Sequence, residues 1–430
     1  MRFEEAVAEL DGRQPEHLPK PNLDRVRVLV ELLDDPQRTY PTVHVTGTNG
    51  KTTTARLISR LACAHGVPTG LFTSPHLRSV TERLELCGEP ITQTEFGAEY
   101  GHLLPYLKTV DERVGPVTYF EALAALAFLW FADKPVGLGV FEVGMGGTWD
   151  ATNVIEGDVA VLCPVGLDHP ELGSTVREVA GEKAGIVKPG TVAVVREQPP
   201  EALEVVLARA AEVDARVLVE GRDWRLARQT QAVGGQFLTV EGLHATYEDV
   251  LLSLFGRFVG HNAAAAIVAT EELLGRALED QALREALLGA TSPGRLEVVR
   301  RRPLVVLDGA HNPDAALALA ETLREAFSWE RLHLVLGVFS NKDREGIAEV
   351  LAPLAVVGYA TATDHVRARP ADEVQDALSA RGVAAQTFPS VPFALEAATD
   401  AAAPGDLILV TGSLYTVANA RRSLLEDPRT

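Results

Sequence analysis

Residues 42–54 read TVHVTGTNGKTTT, from Thr42 to Thr54, and this stretch decides the fold. Its first half is typical of a short buried strand, and residues 52–65 predict the helix that follows. Between them, glycines let backbone N–H groups point at a phosphate, the helix N-terminus adds partial positive charge, and the lysine can reach the terminal phosphates. The predicted phosphate loop consists of Gly47, Thr48, Asn49, Gly50, Lys51 and Thr52.

The strict phosphate-loop pattern requires glycine where this chain has Val45, so a glycine turn with an incidental lysine is the alternative interpretation. A nucleotide site also needs a metal-binding acid on a neighbouring strand. Residues 137–142 form a predicted strand that ends in Glu142, where ligands of parallel sheets lie. An ordinary solvated acid at a strand end is equally compatible with that position. The glycine-rich segment directly after it, residues 143–147, favours the metal interpretation.

Short apolar runs alternate with helix-period segments from about residue 40 onwards, which is typical of strands and crossover helices in a parallel sheet. The pattern changes to β-type segments between residues 216 and 252, with Gly234 and Gly235 as a hairpin turn. Residues 291–295 interrupt regular structure, and a second α/β series begins at residues 303–308. We therefore expect an α/β protein of two domains, residues 1–295 and 296–430.

The chain has 430 residues, with 40 Lys and Arg against 59 Asp and Glu, so that its formal charge is −19. Nucleic-acid and anionic-membrane binders need an excess of basic residues, so neither partner is expected. The longest apolar run, residues 122–132, is shorter than the roughly 20 residues of a membrane helix. Acidic residues near the N-terminus are unlike an export signal. Cys63, Cys87 and Cys163 lie far apart without a CxxC motif, a pattern that is expected to exclude a disulfide scaffold or a cysteine zinc site and that favours the reducing cytoplasm.

Several motifs, taken together and in order, resemble those of the folylpolyglutamate synthase/dihydrofolate synthase family, which belongs to the Mur ligase superfamily. The motifs lie at residues 46–51, 72–77, 142–147, 150–153, 166–169, 182–186, 293–297, 308–313 and 411–415. They span almost the whole chain, and as a set they are far more specific than any one of them.

The resemblance implies a phosphate-loop ATPase-type parallel-sheet domain, followed by a smaller Rossmann-like glutamate ligase domain, with the active site in the cleft between the domains. It implies a carbon–nitrogen ligase that adds L-glutamate to a folate, to dihydropteroate, or to both, through an acyl phosphate. ATP would be the co-substrate and two magnesium ions would assist. The enzyme would act on small molecules as a cytoplasmic monomer.

The resemblance also implies roles for single residues. The metal ligands would be Thr52, Ser74, Glu142 and His169. The catalytic residues would be Lys51, His169, Lys183 and His311, with Lys183 carbamylated so that its CO₂ adduct orients the magnesium site. Outside the phosphate loop, the ATP contacts would be Asn262, Arg295 and Asp308. The pterin or folate contacts would be Arg83, Thr118, Tyr119, Phe120, Glu121, Trp149, Asp150 and Ala151.

Two departures from the family pattern keep an alternative open. The family usually has glycine after the phosphate-loop lysine, where this chain has Thr52, and a His-Gln pair where this chain has Phe258 and Val259. Both replacements resemble cell-wall peptide ligases of the Mur type, which are the nearest alternative. An ATP-driven switch or binding protein is a more distant one. The motifs at residues 72–77 and 308–313 resemble the folate enzymes and favour the first interpretation.

Overall fold

The computed structural model describes residues 1–15, 22–167, 170–365 and 367–426. The chain forms two compact units. The first comprises Met1–Thr230, Gln236–Ser253 and Val259–Ala290, and the second comprises Gln231–Gly235, Leu254–Phe258 and Thr291–Thr430.

A mainly parallel sheet dominates the first unit, and a smaller sheet accompanies it. The larger sheet contains β1 (Thr42–Thr46), β2 (Thr69–Phe72), β3 (Leu84–Leu86), β4 (Glu89–Pro90), β5 (Leu138–Glu142), β6 (Val159–Leu162), β7 (Val192–Val195) and β8 (Arg216–Val219). The smaller sheet contains β9 (Arg225–Ala232), β10 (Gly235–Glu241) and β11 (Thr246–Leu252). The strand order in the larger sheet is β4-β3-β2-β5-β1-β6-β7-β8.

Helices connect most of the strands in the first unit. The α-helices are α1 (Phe3–Asp11), α2 (Asp24–Leu32), α3 (Lys51–Ala64), α4 (Gln93–Arg113), α5 (Tyr119–Asp133), α6 (Val176–Ala184), α7 (Pro200–Glu212), α8 (Arg257–Leu274) and α9 (Asp280–Leu288). Short 3-10 helices lie at Pro36–Arg38, Val80–Arg83, Ala151–Val154 and Pro170–Leu172.

The strand register brings the candidate site residues to one edge of the sheet. β1 is central and pairs in parallel with β5 and β6, and β5 pairs in parallel with β2. Val45 lies beside Glu142, and Phe72 lies beside Phe141. The loops that follow β2, β5 and β1 therefore leave the sheet side by side at its carboxyl end, where parallel sheets bind ligands.

Helix α5 forms the centre of the larger core in this unit. Its sequence is apolar on every side, and residues 120–131 are buried throughout, as expected for a helix without a polar face. Phe128 and Phe131 pack on Phe141 of β5, with ring centroids 5.0 and 5.5 Å apart. Burial of each such ring contributes about 2 kcal/mol and fixes the position of β5.

The second unit contains a sheet with the strand order β12-β13-β17-β14-β15-β16. Its strands are β12 (Glu297–Arg301), β13 (Leu304–Leu307), β14 (Leu332–Leu336), β15 (Val357–Thr361), β16 (Ala384–Phe388) and β17 (Leu407–Thr411). Its helices are α10 (Pro313–Ala326), α11 (Arg344–Leu351), the 3-10 helix Ala352–Leu354, α12 (Ala371–Ser379), α13 (Val391–Ala401) and α14 (Leu414–Glu426). β12 is antiparallel to β13, and the other neighbours are parallel.

The predicted fold class is confirmed, since parallel sheets alternate with helices in both units. The first predicted strand, residues 42–46, matches β1, and the hairpin at Gly234 joins β9 to β10. Within the described ranges, no helix combines the length and apolarity needed to cross a bilayer.

The expectation about the cysteines is wrong for one pair, because Cys63 and Cys87 form a disulfide. They are 24 residues apart in sequence, but their Cα atoms are 5.7 Å apart. β3 pairs antiparallel with β2, so Cys87, directly after β3, lies beside Thr69 at the start of β2. The Cys87 N–H donates to the Thr69 carbonyl at 3.0 Å. Cys63 is in the last turn of α3, which leads into β2, so the fold brings the two sulfur atoms together although they are far apart in sequence.

Candidate functional site

The loop between β1 and α3 is tied to two neighbouring strands. The Thr48 hydroxyl donates to the Gly166 carbonyl and accepts the Gly166 N–H, both at 2.9 Å. The Thr46 hydroxyl donates to the Gly146 carbonyl at 2.8 Å. Gly47 has φ 145° and packs on Cys163, where an added Cβ would lie 2.5 Å from the cysteine Cβ. The loop is therefore held in a fixed shape before any ligand binds.

Lys51 opens α3 and turns back over this loop. Its Nζ donates to the carbonyls of Gly47 at 2.9 Å and Thr48 at 3.4 Å. A half-buried ammonium beside a helix N-terminus creates local positive charge in a chain with a net charge of −19. This arrangement is suited to a polyphosphate.

Glu142 joins two other predicted metal ligands at the end of β5. Its carboxylate is almost fully buried and accepts the Thr52 hydroxyl at 2.7 Å and the Ser74 N–H at 3.1 Å. Three of the four predicted metal ligands therefore come together. They present carboxylate and hydroxyl oxygens, which are the donors that Mg²⁺ prefers. The fourth predicted ligand, His169, lies outside the described residues.

Lys183 reaches the same loop from α6. Its side chain is buried, and its Nζ donates to the Gly47 carbonyl at 2.9 Å. Two amines, those of Lys51 and Lys183, thus share one carbonyl oxygen. Gly147 allows this approach, because an added Cβ would lie 2.6 Å from the carbonyl oxygen of Glu182. Sequence placed Lys183 at the site only by resemblance, and the structure brings it to the phosphate loop; its carbamylation stays a prediction.

Asn262, in the first turns of α8, lies directly against the phosphate loop. Gly50 has φ 90°, and an added Cβ there would lie 2.8 Å from Oδ1 and 2.9 Å from Nδ2 of Asn262. Arg196, which directly follows β7, donates from Nη1 to Oδ1 of Asn262 at 2.5 Å. Sequence reasoning missed Arg196. Its only local signal is its position directly after a buried strand.

Four predicted pterin contacts lie at the start of α5. Thr118 caps the helix, since its hydroxyl accepts the Glu121 N–H at 3.3 Å and its own N–H donates to Glu121 at 2.8 Å. Arg25 donates to the same carboxylate through Nη2 at 2.7 Å, in a buried ion pair. Phe120 packs under Gly144, where an added Cβ would lie 2.6 Å from the ring. Three of these side chains thus have structural contacts, and their roles in binding stay predictions.

Tyr119, the fourth, faces Arg83, whose guanidinium lies 5.3 Å from the ring centroid. Arg83 is buried and donates from Nε to Nδ1 of His76 at 3.0 Å. Burial, helped by the Arg83 charge, lowers the pKa of His76 to about 3, so its ring is neutral and accepts this bond. The two side chains thus place a buried cation over an aromatic ring.

Asp150 shapes the loop after β5. Its carboxylate accepts the N–H groups of Met145 at 2.9 Å and Thr152 at 3.0 Å, and it also accepts the Thr152 hydroxyl. Burial raises the pKa of Asp150, and these hydrogen bonds oppose the shift. Ala151 is buried, and Trp149 is half-buried and packs on a small apolar cluster. Contact of these three residues with substrate stays a prediction.

In the second unit, Asp308 follows β13 and holds two loops together. Its oxygens accept the N–H groups of Leu296 and Ala310, each at 2.8 Å. Burial raises the pKa of Asp308, and the nearby Arg295 charge opposes the shift. The His311 ring is hydrogen-bonded through Nδ1 to the Gly309 carbonyl at 2.8 Å. The structure therefore groups Arg295, Asp308 and His311 at one end of this sheet.

The fold and the site define a class of protein: a phosphate-loop nucleotide-binding protein with a second α/β unit. Comparison with protein families agrees. The Mur ligase middle domain matches residues 45–270, and the glutamate ligase domain of Mur ligases matches residues 294–414.

Close relatives narrow the class to one family. The dihydrofolate synthase/folylpolyglutamate synthase of Mycobacterium tuberculosis is 40% identical, and the match covers 98% of this chain and 93% of that protein. The structure of Mycobacterium tuberculosis folylpolyglutamate synthase complexed with ADP is similar at a TM-score of 0.94 and 38% identity, over 99% of both chains. Escherichia coli FolC in complex with DHPP and ADP gives a TM-score of 0.89 at 28% identity, over 100% of this chain and 99% of that one.

The chain therefore belongs to the dihydrofolate synthase/folylpolyglutamate synthase family of the Mur ligase superfamily, which confirms the resemblance seen in its sequence.

Proposed function

We infer that this protein is an ATP-dependent ligase that joins L-glutamate to a folate, to dihydropteroate, or to both. Relatives named for this activity match 94% or more of the chain, which supports the function. The structural observation that supports it best is the convergence of Thr52, Ser74 and Glu142 beside the phosphate loop. That arrangement can hold the triphosphate and place its γ-phosphoryl group for transfer.

Activation of the acceptor carboxylate is the chemical problem that this site solves. In the proposed reaction, a carboxylate oxygen of the folate or pteroate attacks the γ-phosphorus of ATP, and ADP leaves. The amine of glutamate then attacks the carbonyl carbon of the acyl phosphate, and phosphate leaves with the carboxylate oxygen. The first step brings two anions together, so positioning and charge neutralisation dominate catalysis.

Residues of the phosphate loop would bind ATP in this reaction. Backbone N–H groups of Gly47, Thr48, Asn49, Gly50, Lys51 and Thr52 would surround the phosphates. Lys51 would exchange its bonds to the Gly47 and Thr48 carbonyls for phosphate oxygens. Asn262, Arg295 and Asp308 would complete the nucleotide contacts.

Mg²⁺ would be held by Thr52, Ser74 and Glu142, with His169 as a further ligand and a second ion beside the phosphates. When bound, magnesium neutralises phosphate charge and favours transfer. The donor set fits this ion, because Glu142 and the Thr52 hydroxyl supply oxygen ligands on adjacent elements. The Thr52 hydroxyl, which donates to Glu142, also has lone pairs with which it would act as a ligand of the ion.

Carbamylation of Lys183 would change the charge beside the phosphate loop. Unmodified, the ammonium of buried Lys183 shares the Gly47 carbonyl with half-buried Lys51, so two cations lie near each other. After the ammonium has lost a proton to solvent, its nitrogen would attack the carbon of CO₂, and loss of a second proton would leave a carbamate anion in place of the cation, which relieves this repulsion. Intact-mass measurement under bicarbonate tests this step, and an unmodified amine in a fully active enzyme would contradict it. Activity of Lys183→Ala that short acids restore would support it.

Folate or pteroate would bind beside α5. The Arg83 and Tyr119 pair presents a cation over an aromatic ring, which suits an anionic, flat substrate. Thr118, Phe120, Glu121, Trp149, Asp150 and Ala151 would form the rest of this site. His311 would help to place glutamate or the acyl phosphate.

We further propose that residues 1–295 carry the ATP-binding function and residues 296–430 the glutamate ligase function, in a cytoplasmic monomer. A disulfide such as Cys63–Cys87 is uncommon in the reducing cytoplasm, so the redox state of this pair in the cell bears on the proposed compartment. Size-exclusion chromatography with light scattering tests the oligomeric state, and thiol labelling in lysed cells tests the redox state.

One assay tests the function. The protein is incubated with Mg-ATP and labelled glutamate, and separately with dihydropteroate, a reduced folate monoglutamate or a UDP-sugar peptide. We expect one ADP for each glutamylated pterin formed. Product from the UDP-sugar acceptor alone would favour a cell-wall ligase. ATP hydrolysis without any amide product would favour an ATP-driven switch.

A further inference from the structure

The carboxamide of Asn262 is packed against the phosphate loop. Asn262 is 3% exposed, and both of its terminal atoms lie within 3 Å of the position that a Cβ on Gly50 would occupy, at 2.8 Å for Oδ1 and 2.9 Å for Nδ2. An amide has a donor end and an acceptor end, so its orientation decides which kind of ligand atom it can bind.

Arg196 determines that orientation. Its Nη1 donates to Oδ1 of Asn262 at 2.5 Å. A guanidinium offers only donors, so the amide end that faces it must be the oxygen. A flipped amide would set N–H against N–H. Asn262 can therefore offer its Nδ2 as a donor to a ligand while Oδ1 is engaged by Arg196.

Arg196 is itself held rigidly by a buried carboxylate. Its Nε lies 3.2 Å from Oε2 of Glu220, and the two side chains are 4% and 6% exposed. Glu220 also accepts the Glu197 N–H at 2.8 Å and contacts Nδ1 of His261 at 2.5 Å. Burial raises the pKa of Glu220, but His261, the Glu197 N–H and Arg196 together lower it below its ordinary value. The carboxylate is therefore charged and keeps Arg196 in place.

We propose that Arg196 is a positioning residue that fixes Asn262 as a hydrogen-bond donor to an acceptor atom of ATP. The proposal rests on the proposed function, in which Asn262 contacts the nucleotide. It extends that function to two further residues, Arg196 after β7 and Glu220 after β8, which act through Asn262 in α8. The chemical class recognised is an acceptor of the nucleotide, either a phosphate oxygen or a ring nitrogen.

The isosteric variant Asn262→Asp tests the donor role most sharply. It keeps the oxygen that Arg196 binds and the same volume beside Gly50, so we expect it to fold. It removes the N–H donor and adds negative charge, so the dissociation constant for ATP, measured by calorimetry, should rise by at least about tenfold. Unchanged ATP affinity in Asn262→Asp would overturn the proposal.

Arg196→Met tests the positioning role. The amide is then free to flip, so the KM for ATP should rise about fivefold to tenfold while kcat stays within about twofold. Arg196→Lys, which restores one donor, should recover part of this loss. Because both residues act through one contact, Arg196→Met combined with Asn262→Ala should bind ATP no more weakly than Asn262→Ala alone. Additive losses in the double variant would contradict the proposal.

Arg13→Met is the matched control. Arg13 also has a buried side chain in an ion pair, with Glu9 at 2.8 Å, but it lies just after α1 and also donates to the Tyr100 hydroxyl of α4. The Arg13→Met variant should lower the thermal midpoint of unfolding about as much as Arg196→Met does, but it should leave the KM for ATP unchanged. If the wild type binds ATP but forms no glutamylated product, the proposed function fails while the binding measurements still test Arg196. If the wild type binds no ATP, both proposals are wrong.

Discussion

Each unit of this protein carries an acid at the end of a parallel strand, and the two acids have different partners. Glu142, at the end of β5, accepts a side-chain hydroxyl from Thr52 and the N–H of Ser74. Asp308, after β13, accepts two backbone N–H groups, those of Leu296 and Ala310. A hydroxyl can rotate towards a metal ion, whereas a backbone N–H cannot change from donor to acceptor. Position at a strand end thus makes both acids candidates for the site. Their hydrogen-bond partners distinguish Glu142, which is suited to a metal ion, from Asp308, which holds two loops together beside its proposed nucleotide contact.

The largest effect on activity is expected at Lys51, which supplies positive charge at the phosphate loop beside Glu142. Lys51→Ala should lower kcat/KM for ATP by about a thousandfold, because phosphoryl transfer depends on charge at the phosphates. Steady-state kinetics of ADP release measure this loss. Lys134→Ala, which removes an exposed lysine paired with Glu95, should stay within about twofold. Near-normal activity of Lys51→Ala would mean that the loop does not bind the triphosphate.

Glu142→Gln should have the next largest effect. The neutral amide keeps the shape but weakens a metal site, so activity should fall about a hundredfold and the Mg²⁺ concentration for half-maximal activity should rise. A magnesium titration measures both. Glu271→Gln is the control, because this buried carboxylate holds the Tyr247 hydroxyl at 2.7 Å. Glu271→Gln should lower the stability without a change in the Mg²⁺ concentration for half-maximal activity. If this concentration rises equally in both variants, Glu142 has only a structural role.

Gly50→Ala tests how closely the phosphate loop is packed. Gly50 has φ 90°, and its Cβ would meet Asn262 at 2.8 Å, so the KM for ATP should rise about tenfold. Gly190→Ala separates strain from contact, because Gly190 has φ 82° with nothing within 4 Å of the added Cβ. Both variants should lose about 1 kcal/mol of stability, and only Gly50→Ala should lose ATP affinity. Equal ATP affinity in the two variants would show that the contact with Asn262 is unimportant.

Asp308→Asn should show the smallest effect on catalysis and a clear effect on stability. One of two buried N–H groups loses its acceptor, which should destabilise the second unit by about 2 kcal/mol. Thermal unfolding measures this change, and Asp400→Asn, at an exposed position, should leave the midpoint unaltered. A loss of activity as large as that of Glu142→Gln, with normal stability, would reverse the comparison between the two acids.

Local patterns predicted the elements of the site well. The strand at residues 42–46, the loop after it and the acid at the end of β5 follow from short-range periodicity and glycine placement. Contacts between segments that are far apart in sequence could not be predicted from these local patterns. Lys183 and Gly47 are 136 residues apart, and Arg196 and Asn262 are 66 apart, so only the folded sheet brings them together. The Cys63 and Cys87 pair was missed for the same reason.

An isotope experiment tests the central claim most directly. An acceptor pterin labelled with ¹⁸O in its reacting carboxylate is incubated with the protein, Mg-ATP and glutamate, and the released phosphate is analysed by mass spectrometry. Attack of the carboxylate on the γ-phosphorus of ATP, followed by attack of glutamate on the acyl phosphate, predicts one ¹⁸O atom in each phosphate. Glutamylated product accompanied by unlabelled phosphate would contradict activation of the carboxylate at the phosphate loop.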